Sequence, residues 1–358
     1  KSQPLPHATG ERPAAAAPRR LRLGSPSWYS TRVRMADPTL PDTVEYEEGT
    51  FLNAQGLQLR TYRFSPKGRA ARGVIWLCHG YASWTNFEWM LASEPGGSHT
   101  VFEDSVPGGL VAAGFTVATL DHQSHGRSEG DQGLRCFFNR FDDLADECLD
   151  CLSKLREEDA TLDTLPVFLF GISMGGATAV RMAQKQPTLF RGAVLYAPML
   201  SLEEVQKQSI FLCVTNRHLA PLVEVLNKLI PKVPLAKPAR NTIHPKSQEE
   251  MDADPLTYSE NARVRVAREF FTVTNWFMAG GLAEMRTPFV TFHSCKDTFT
   301  DPLGSETLVR LAEVKDKTYV RVGKGLDLEA DIWHALTFEP GHELVFARAL
   351  AWIEARVA

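Results

Sequence analysis

The sequence predicts an α/β fold: a mostly parallel sheet with helices on both faces and a helical cap inserted late in the chain. Three observations carry that reading. From about residue 42, short continuous apolar runs alternate with amphipathic stretches of helical period, and strands buried on both faces are what a helix-covered parallel sheet requires. The alternation breaks between about Leu202 and Met285, where the sequence turns helical, aromatic and proline-punctuated. Finally, Gly171-Ile172-Ser173-Met174-Gly175 stands between the apolar run Val167-Phe168-Leu169-Phe170 and the helix-like Gly176-Ala177-Thr178-Ala179-Val180, a sharp strand-to-helix turn.

In chain order, residues 51–60 and 61–64 read as a hairpin about Asn53-Ala54-Gln55-Gly56. Buried strands are then expected at residues 73–78, 115–120, 167–170, 193–196, 289–292 and 318–322, each a run of β-branched, aromatic and other apolar residues. Between them the clearest amphipathic helices are expected at 138–156, 177–185, 305–314 and 344–357. The organisation that follows is an unfolded N-terminal extension over 1–41, a first core part over 42–201, the cap over 202–285 and a second core part over 286–358. Residues 1–34 are rich in Ala, Pro, Ser and Arg with Glu11 as their single acid. They read either as an organelle-import peptide or as sequence ahead of a start at Met35.

At 358 residues and 44% hydrophobic content the chain can bury one large core. A net charge of -4 and a pI near 6.2 give no reason to bind nucleic acid or an anionic surface strongly, so a neutral small or lipidic ligand is expected. The six cysteines (Cys78, Cys136, Cys148, Cys151, Cys213, Cys295) are scattered, several within apolar runs, as buried, reduced thiols of an intracellular protein would be. Cys148-x-x-Cys151 lacks a second ligand pair and reads as helix packing rather than a zinc site. No run of about 18 uncharged apolar residues exists to span a bilayer.

Ser173 is expected to be a nucleophile, with small residues two before and two after it and a helix N-terminus behind it. Gly126-Arg127-Ser128-Glu129-Gly130 matches the same G-x-S-x-G pattern but lacks the strand before and the helix after, so Ser128 is set aside. Acyl transfer needs donors where the oxyanion develops. His79-Gly80-Tyr81 follows the strand at 73–78, which makes the backbone N–H groups of Tyr81 and Met174 the expected pair and His79 a structural residue. The acid and base should follow in the order Ser, Asp, His. Asp297 lies just beyond the strand at 289–292, whereas Asp301-Pro302 reads as a helix start; His334 lies between the last strand and the last helix, whereas His342 reads as a solvated helix start and His293 as a satisfied core histidine. No metal or organic cofactor is implied.

With these residues in place the chain resembles the monoacylglycerol lipase and lysophospholipase group of α/β-hydrolases, classed with serine aminopeptidase-like hydrolases. The resemblance covers roughly Glu45 to Val357. It rests on His79-Gly80, on the segment Asp121 to Gly130, on Gly171 to Gly176, on Ala197-Pro198, on Asp254-Pro255-Leu256 in the cap, and on Asp297 and His334. It implies hydrolysis of a lipid-like carboxylic ester through an acyl-enzyme. In the family the second segment is a structural loop of the form D-x-x-G-H-G-x-S-x-G; here Ser124 replaces its first glycine, and Gly323 to Asp331 lengthens the approach to His334. The apolar cap residues, with Phe211, Trp276 and Phe277 as the expected substrate contacts, could line an acyl tunnel, meet a membrane surface peripherally, or only pack on one another. Rival expectations are a small phenolic or other non-lipid ester, an acyltransferase or peptidase using the same residues, and a binding protein without turnover.

Overall fold

A computed structural model of the chain describes residues 38–203, 209–211, 214–215, 220–236 and 240–357, and Asp37–Ala358 form one compact unit. Eight strands make the central sheet: β1 (Val44–Leu52), β2 (Gln58–Pro66), β3 (Val74–Cys78), β4 (Thr116–Leu120), β5 (Val167–Ile172), β6 (Phe190–Tyr196), β7 (Phe289–Ser294) and β8 (Lys317–Val322). Their spatial order is β1-β2-β4-β3-β5-β6-β7-β8. β1 and β2 form an antiparallel hairpin about the expected turn, but its strands run over 44–52 and 58–66 rather than 51–60 and 61–64; β2 joins β4 antiparallel, and every pair from β4 onward is parallel.

Alternation along each strand builds two cores. Val74, Trp76 and Cys78 of β3 and Val167 and Leu169 of β5 enter one cluster; Ile75, Leu77, Phe168, Phe170 and Ile172 enter the other. Each such fully buried large side chain contributes roughly 1.5–3 kcal/mol, so both faces must be covered. On one face lie α1 (Val106–Ala112) and α8 (His342–Glu354), through Val106, Leu110, Val345, Ala349 and Ile353. On the other lie α2 (Phe141–Glu158), α3 (Met174–Lys185) and α7 (Pro302–Leu311), through Leu144, Cys148, Ala177, Val180 and Leu308.

α1 is absent from the sequence reading because Pro107-Gly108-Gly109 gives it poor helix propensity. Burial and the Ser105 cap, whose Oγ accepts from the Gly108 N–H at 3.2 Å, hold it instead. Residues 38–41, assigned to the extension from sequence, are tied to the core: the Thr39 N–H donates to the Thr100 carbonyl at 3.1 Å. The rest of the extension lies outside the described residues, as does Cys213. Cys78, Cys136, Cys148 and Cys151 are buried as expected, but Cys295 is exposed, because it lies in the turn just beyond β7.

Between β6 and β7 the described residues include α4 (Ala220–Leu229), α5 (Pro245–Ala253) and α6 (Val264–Met278). Polar bonds fasten this segment to the core. Asp254 accepts from Trp84 Nε1 at 3.1 and 3.2 Å, Glu250 accepts from the Gly96 N–H at 2.8 Å, and the Tyr258 N–H donates to the Ala82 carbonyl at 2.9 Å. Among the described residues no helix is long and apolar enough to cross a membrane.

Candidate active site

Ser173 occupies the turn from β5 to α3 with φ 55° and ψ -121°, a conformation a side chain adopts only when its surroundings enforce it. Neighbouring backbone does so here. A Cβ on Gly175 would run into the Cys78 and His79 carbonyls, and one on Gly171 into the Gly175 carbonyl. The Ser173 N–H meanwhile donates to the Tyr196 carbonyl of β6 at 3.0 Å. Only glycine at both flanking positions lets the elbow close.

The loop after β3 backs onto that serine: a Cβ on Gly80 would stand 3.5 Å from the Ser173 Cβ. Neither the Tyr81 N–H nor the Met174 N–H has a hydrogen-bond partner among the described residues. His79 is wholly buried beneath. Its Nε2 accepts from the His122 N–H at 2.9 Å, which leaves Nδ1 protonated to donate to the Gly80 carbonyl at 2.8 Å. Burial pushes the His79 imidazole down in pKa, so this brace is neutral.

Asp297 follows β7 with its side chain buried. Oδ1 accepts from the N–H groups of Phe299 at 2.7 Å and Thr300 at 2.9 Å. Oδ2 lies 2.7 Å from His334 Nδ1, 3.0 Å from Thr300 Oγ1 and 3.2 Å from His293 Nε2. Burial alone would raise this carboxyl, but the His334 charge and the His293 hydrogen bond hold it well below the usual carboxylate range. Burial would likewise lower His334, yet the charge of Asp297, then that of Glu339 and Glu88, holds it above the ordinary imidazole value. With Nδ1 engaged, Nε2 is the nitrogen left for proton transfer.

The alternatives weighed on sequence have other employment. Asp301 caps α7, accepting from the Leu303 N–H at 3.0 Å. Ser128, buried, accepts from the Arg60 N–H at 2.8 Å and donates to the Asp121 carbonyl. His293 is wholly buried and reaches Ser305 Oγ at 2.8 Å. His342 does begin α8, but its side chain is only 12% exposed, so the expectation of a solvated residue is corrected. Ser124 holds φ 62°, the left-handed backbone that the family's glycine would suit, and is held there through Oγ, which bonds the Phe137 carbonyl and N–H. The long segment before His334 is tied down by ion pairs of Asp327 with Arg321 at 2.9 Å and of Asp331 with Lys296 at 2.6 Å.

Ser173 and His334 face one cleft of about 900 Å³ including its open mouth. Its apolar walls come from Phe87, Met251, Tyr258, Phe299, Trp333 and Phe338. Two expected substrate contacts lie elsewhere. Phe277 is wholly buried in the core beneath α6, on the face that carries Val266, Phe270 and Val273. Trp276, the next position round the helix, covers the Arg181 guanidinium at 4.5 Å in a separate surface depression. The side chain of Phe211 lies outside the described residues. The 266-270-273-277 spacing marks a core-facing helix stripe, a signal the composition of the segment hides.

The family model for serine aminopeptidases, S33, matches residues 95–341. The chain belongs to this family. Among the relatives of this S33 hydrolase are the caffeoylshikimate esterase of Arabidopsis thaliana, 26% identical over 329 residues (89% of this chain and 90% of that protein), and the human monoglyceride lipase, 26% identical over 282 residues (78% and 82%). The fold is shared with the monoacylglycerol lipase of Paleococcus ferrophilus, with a TM-score of 0.62 at 22% identity over 83% of this chain and 99% of that one. It is shared too with a soluble variant of the Saccharomyces cerevisiae monoglyceride lipase, with a TM-score of 0.65 at 16% identity over 92% and 99%. The S33 hydrolase thus has an α/β-hydrolase fold, and the relatives named above are esterases and lipases.

Proposed function

We propose that the chain is a serine carboxylic ester hydrolase acting on a monoacylglycerol- or lysophospholipid-like ester. Ser173 Oγ attacks the ester carbonyl carbon while its proton passes to His334 Nε2, and Asp297 holds the imidazole in the required tautomer. The negative charge that develops on the carbonyl oxygen is met by the N–H groups of Tyr81 and Met174. As the bond to the alcohol breaks, the imidazolium returns its proton to the leaving oxygen. Water, deprotonated by the same base, then releases the acid from Ser173.

The observation that carries the lipid reading is the apolar cleft wall of Phe87, Met251 and Phe338 beside Ser173 and His334. An acyl chain gains about 0.8 kcal/mol per buried methylene, so kcat/KM should climb with acyl length until the cleft is filled. A p-nitrophenyl ester series checks this. Phe338→Ala and Met251→Ala should flatten the climb and Trp276→Ala should leave it intact; a flat wild-type profile would remove the lipid reading. One observation favours the phenolic alternative: Phe299 and Trp333 stand beside the His334 ring, with centroids 5.0 and 6.0 Å from it, and both line the cleft. A flat profile with a preference for aromatic acyl groups would support it.

We also infer peripheral contact with lipid through the inserted segment. Val225, Leu229 and Leu235 are 52%, 73% and 51% exposed and are interleaved with Lys228 and Lys232, an arrangement suited to an interface with anionic headgroups. Co-sedimentation with phosphatidylserine-containing vesicles should be lost in the Leu229→Asp/Leu235→Asp variant, and equal recovery of both proteins would refute the contact.

A further inference from the structure

Two buried carboxylates outside the Ser173, His334 and Asp297 set meet at the loop that carries His334. Glu339, wholly buried, accepts through Oε2 from the N–H groups of Trp333 at 2.5 Å and His334 at 3.1 Å, and through Oε1 from Asn241 Nδ2 at 2.7 Å. Glu88, also buried, accepts through Oε2 from the Gly80 N–H at 3.0 Å and through Oε1 from Thr337 Oγ1 at 3.3 Å. Asn241 belongs to the cleft wall and Gly80 to the loop that presents the Tyr81 N–H.

We infer that Glu88 and Glu339 are positioning residues that clamp the loop 333–339 between the oxyanion loop and the cleft wall, holding base, oxyanion donor and wall in register. The inference rests on the reading of His334 as the base.

Burying a carboxylate is unfavourable unless strong hydrogen bonds offset the lost hydration, and two such groups bonded to one short loop, Glu339 from within it and Glu88 from the helical turn 85–89, are unlike packing. Neither glutamate pairs with a lysine or arginine among the described residues; the nearest basic group to Glu339 is His244 Nε2 at 3.9 Å. The charges of Asp297, Glu339 and Glu88 each favour the protonated form of His334. The clamp thus both fixes the imidazole and stabilises the imidazolium formed during attack.

The test uses Glu339→Gln and Glu88→Gln, which keep shape and remove charge. Rates are measured per site labelled by a fluorophosphonate probe, so that misfolded protein does not count. A base must be neutral to accept the proton, so the wild-type acid limb of kcat/KM should lie above the ordinary imidazole value and move to lower pH in both variants. We expect kcat per labelled site to fall about 10- to 100-fold, as for other outer-shell hydrogen-bond partners, with KM changed less than about threefold; a group that only packs would lower Tm without moving the acid limb. Wild-type kcat with an unmoved acid limb would overturn the clamp, as would a rise in KM alone, which would make the glutamates substrate contacts. If both variants fail to fold, Asn241→Ala and Thr337→Val each remove one donor while sparing the carboxylates; the clamp then requires a several-fold fall in kcat and is overturned if kcat is unchanged. Persisting turnover in Ser173→Ala would instead sink the reading of Ser173 as nucleophile and His334 as its base, on which the clamp rests.

Discussion

Ser173→Ala is expected to lower kcat by about five to six orders of magnitude, the loss seen when a serine nucleophile is removed from such a set, and to abolish fluorophosphonate labelling. The contrast is Ser128→Ala. Ser128 matches the same five-residue pattern but is 1% exposed and spends its hydroxyl on Arg60 and Asp121 backbone. Its removal should leave labelling intact and cost about 1 kcal/mol of stability, because the part-buried Arg60 N–H loses its acceptor. Labelling of Ser173→Ala at the wild-type rate would show that the nucleophile lies elsewhere.

Asp297→Asn should reduce kcat by about four orders of magnitude, since an amide in place of the carboxylate favours the wrong imidazole tautomer. The two N–H groups that hold Oδ1 can still bind an amide oxygen, so the fold should survive and the loss should appear in turnover. Asp301→Asn should be close to wild type, because Asn caps helices about as well as Asp; even Asp301→Ala would mainly remove the α7 cap, at about 1 kcal/mol. Turnover that falls in Asp301→Asn and survives in Asp297→Asn would reassign the acid.

Much of the sheet was legible because strands buried on both faces leave continuous apolar runs. β3, β4, β5, β7 and β8 appear within a residue or two of their sequence expectation. Helix starts were harder. α3 begins at Met174 rather than Ala177 because Gly175-Gly176 masks its first turn; α7 begins at Pro302, where Asp301-Pro302 marked a helix start, although the amphipathic period placed it only from residue 305. The candidate substrate contacts were the weakest reading. Apolar composition does not say which side of a helix looks inward, and α6 turns Phe277 to the core and Trp276 to Arg181.

By itself the sequence determined the fold class, set Ser173 apart from Ser128 by the strand before and the helix after it, and led to Asp297 and His334 as the candidates proposed to act with it. Each of these depends on local period or on the residues flanking one turn, which short-range sterics dictate. Only the tertiary structure decided which side chains form the cleft and what holds the histidine loop. Phe87, Met251, Phe299 and Phe338 come from four separate stretches of chain, and Glu88 meets Thr337 across 249 positions. Contacts of that kind arise from how the loops at the strand ends converge, and no local pattern of residues records that convergence.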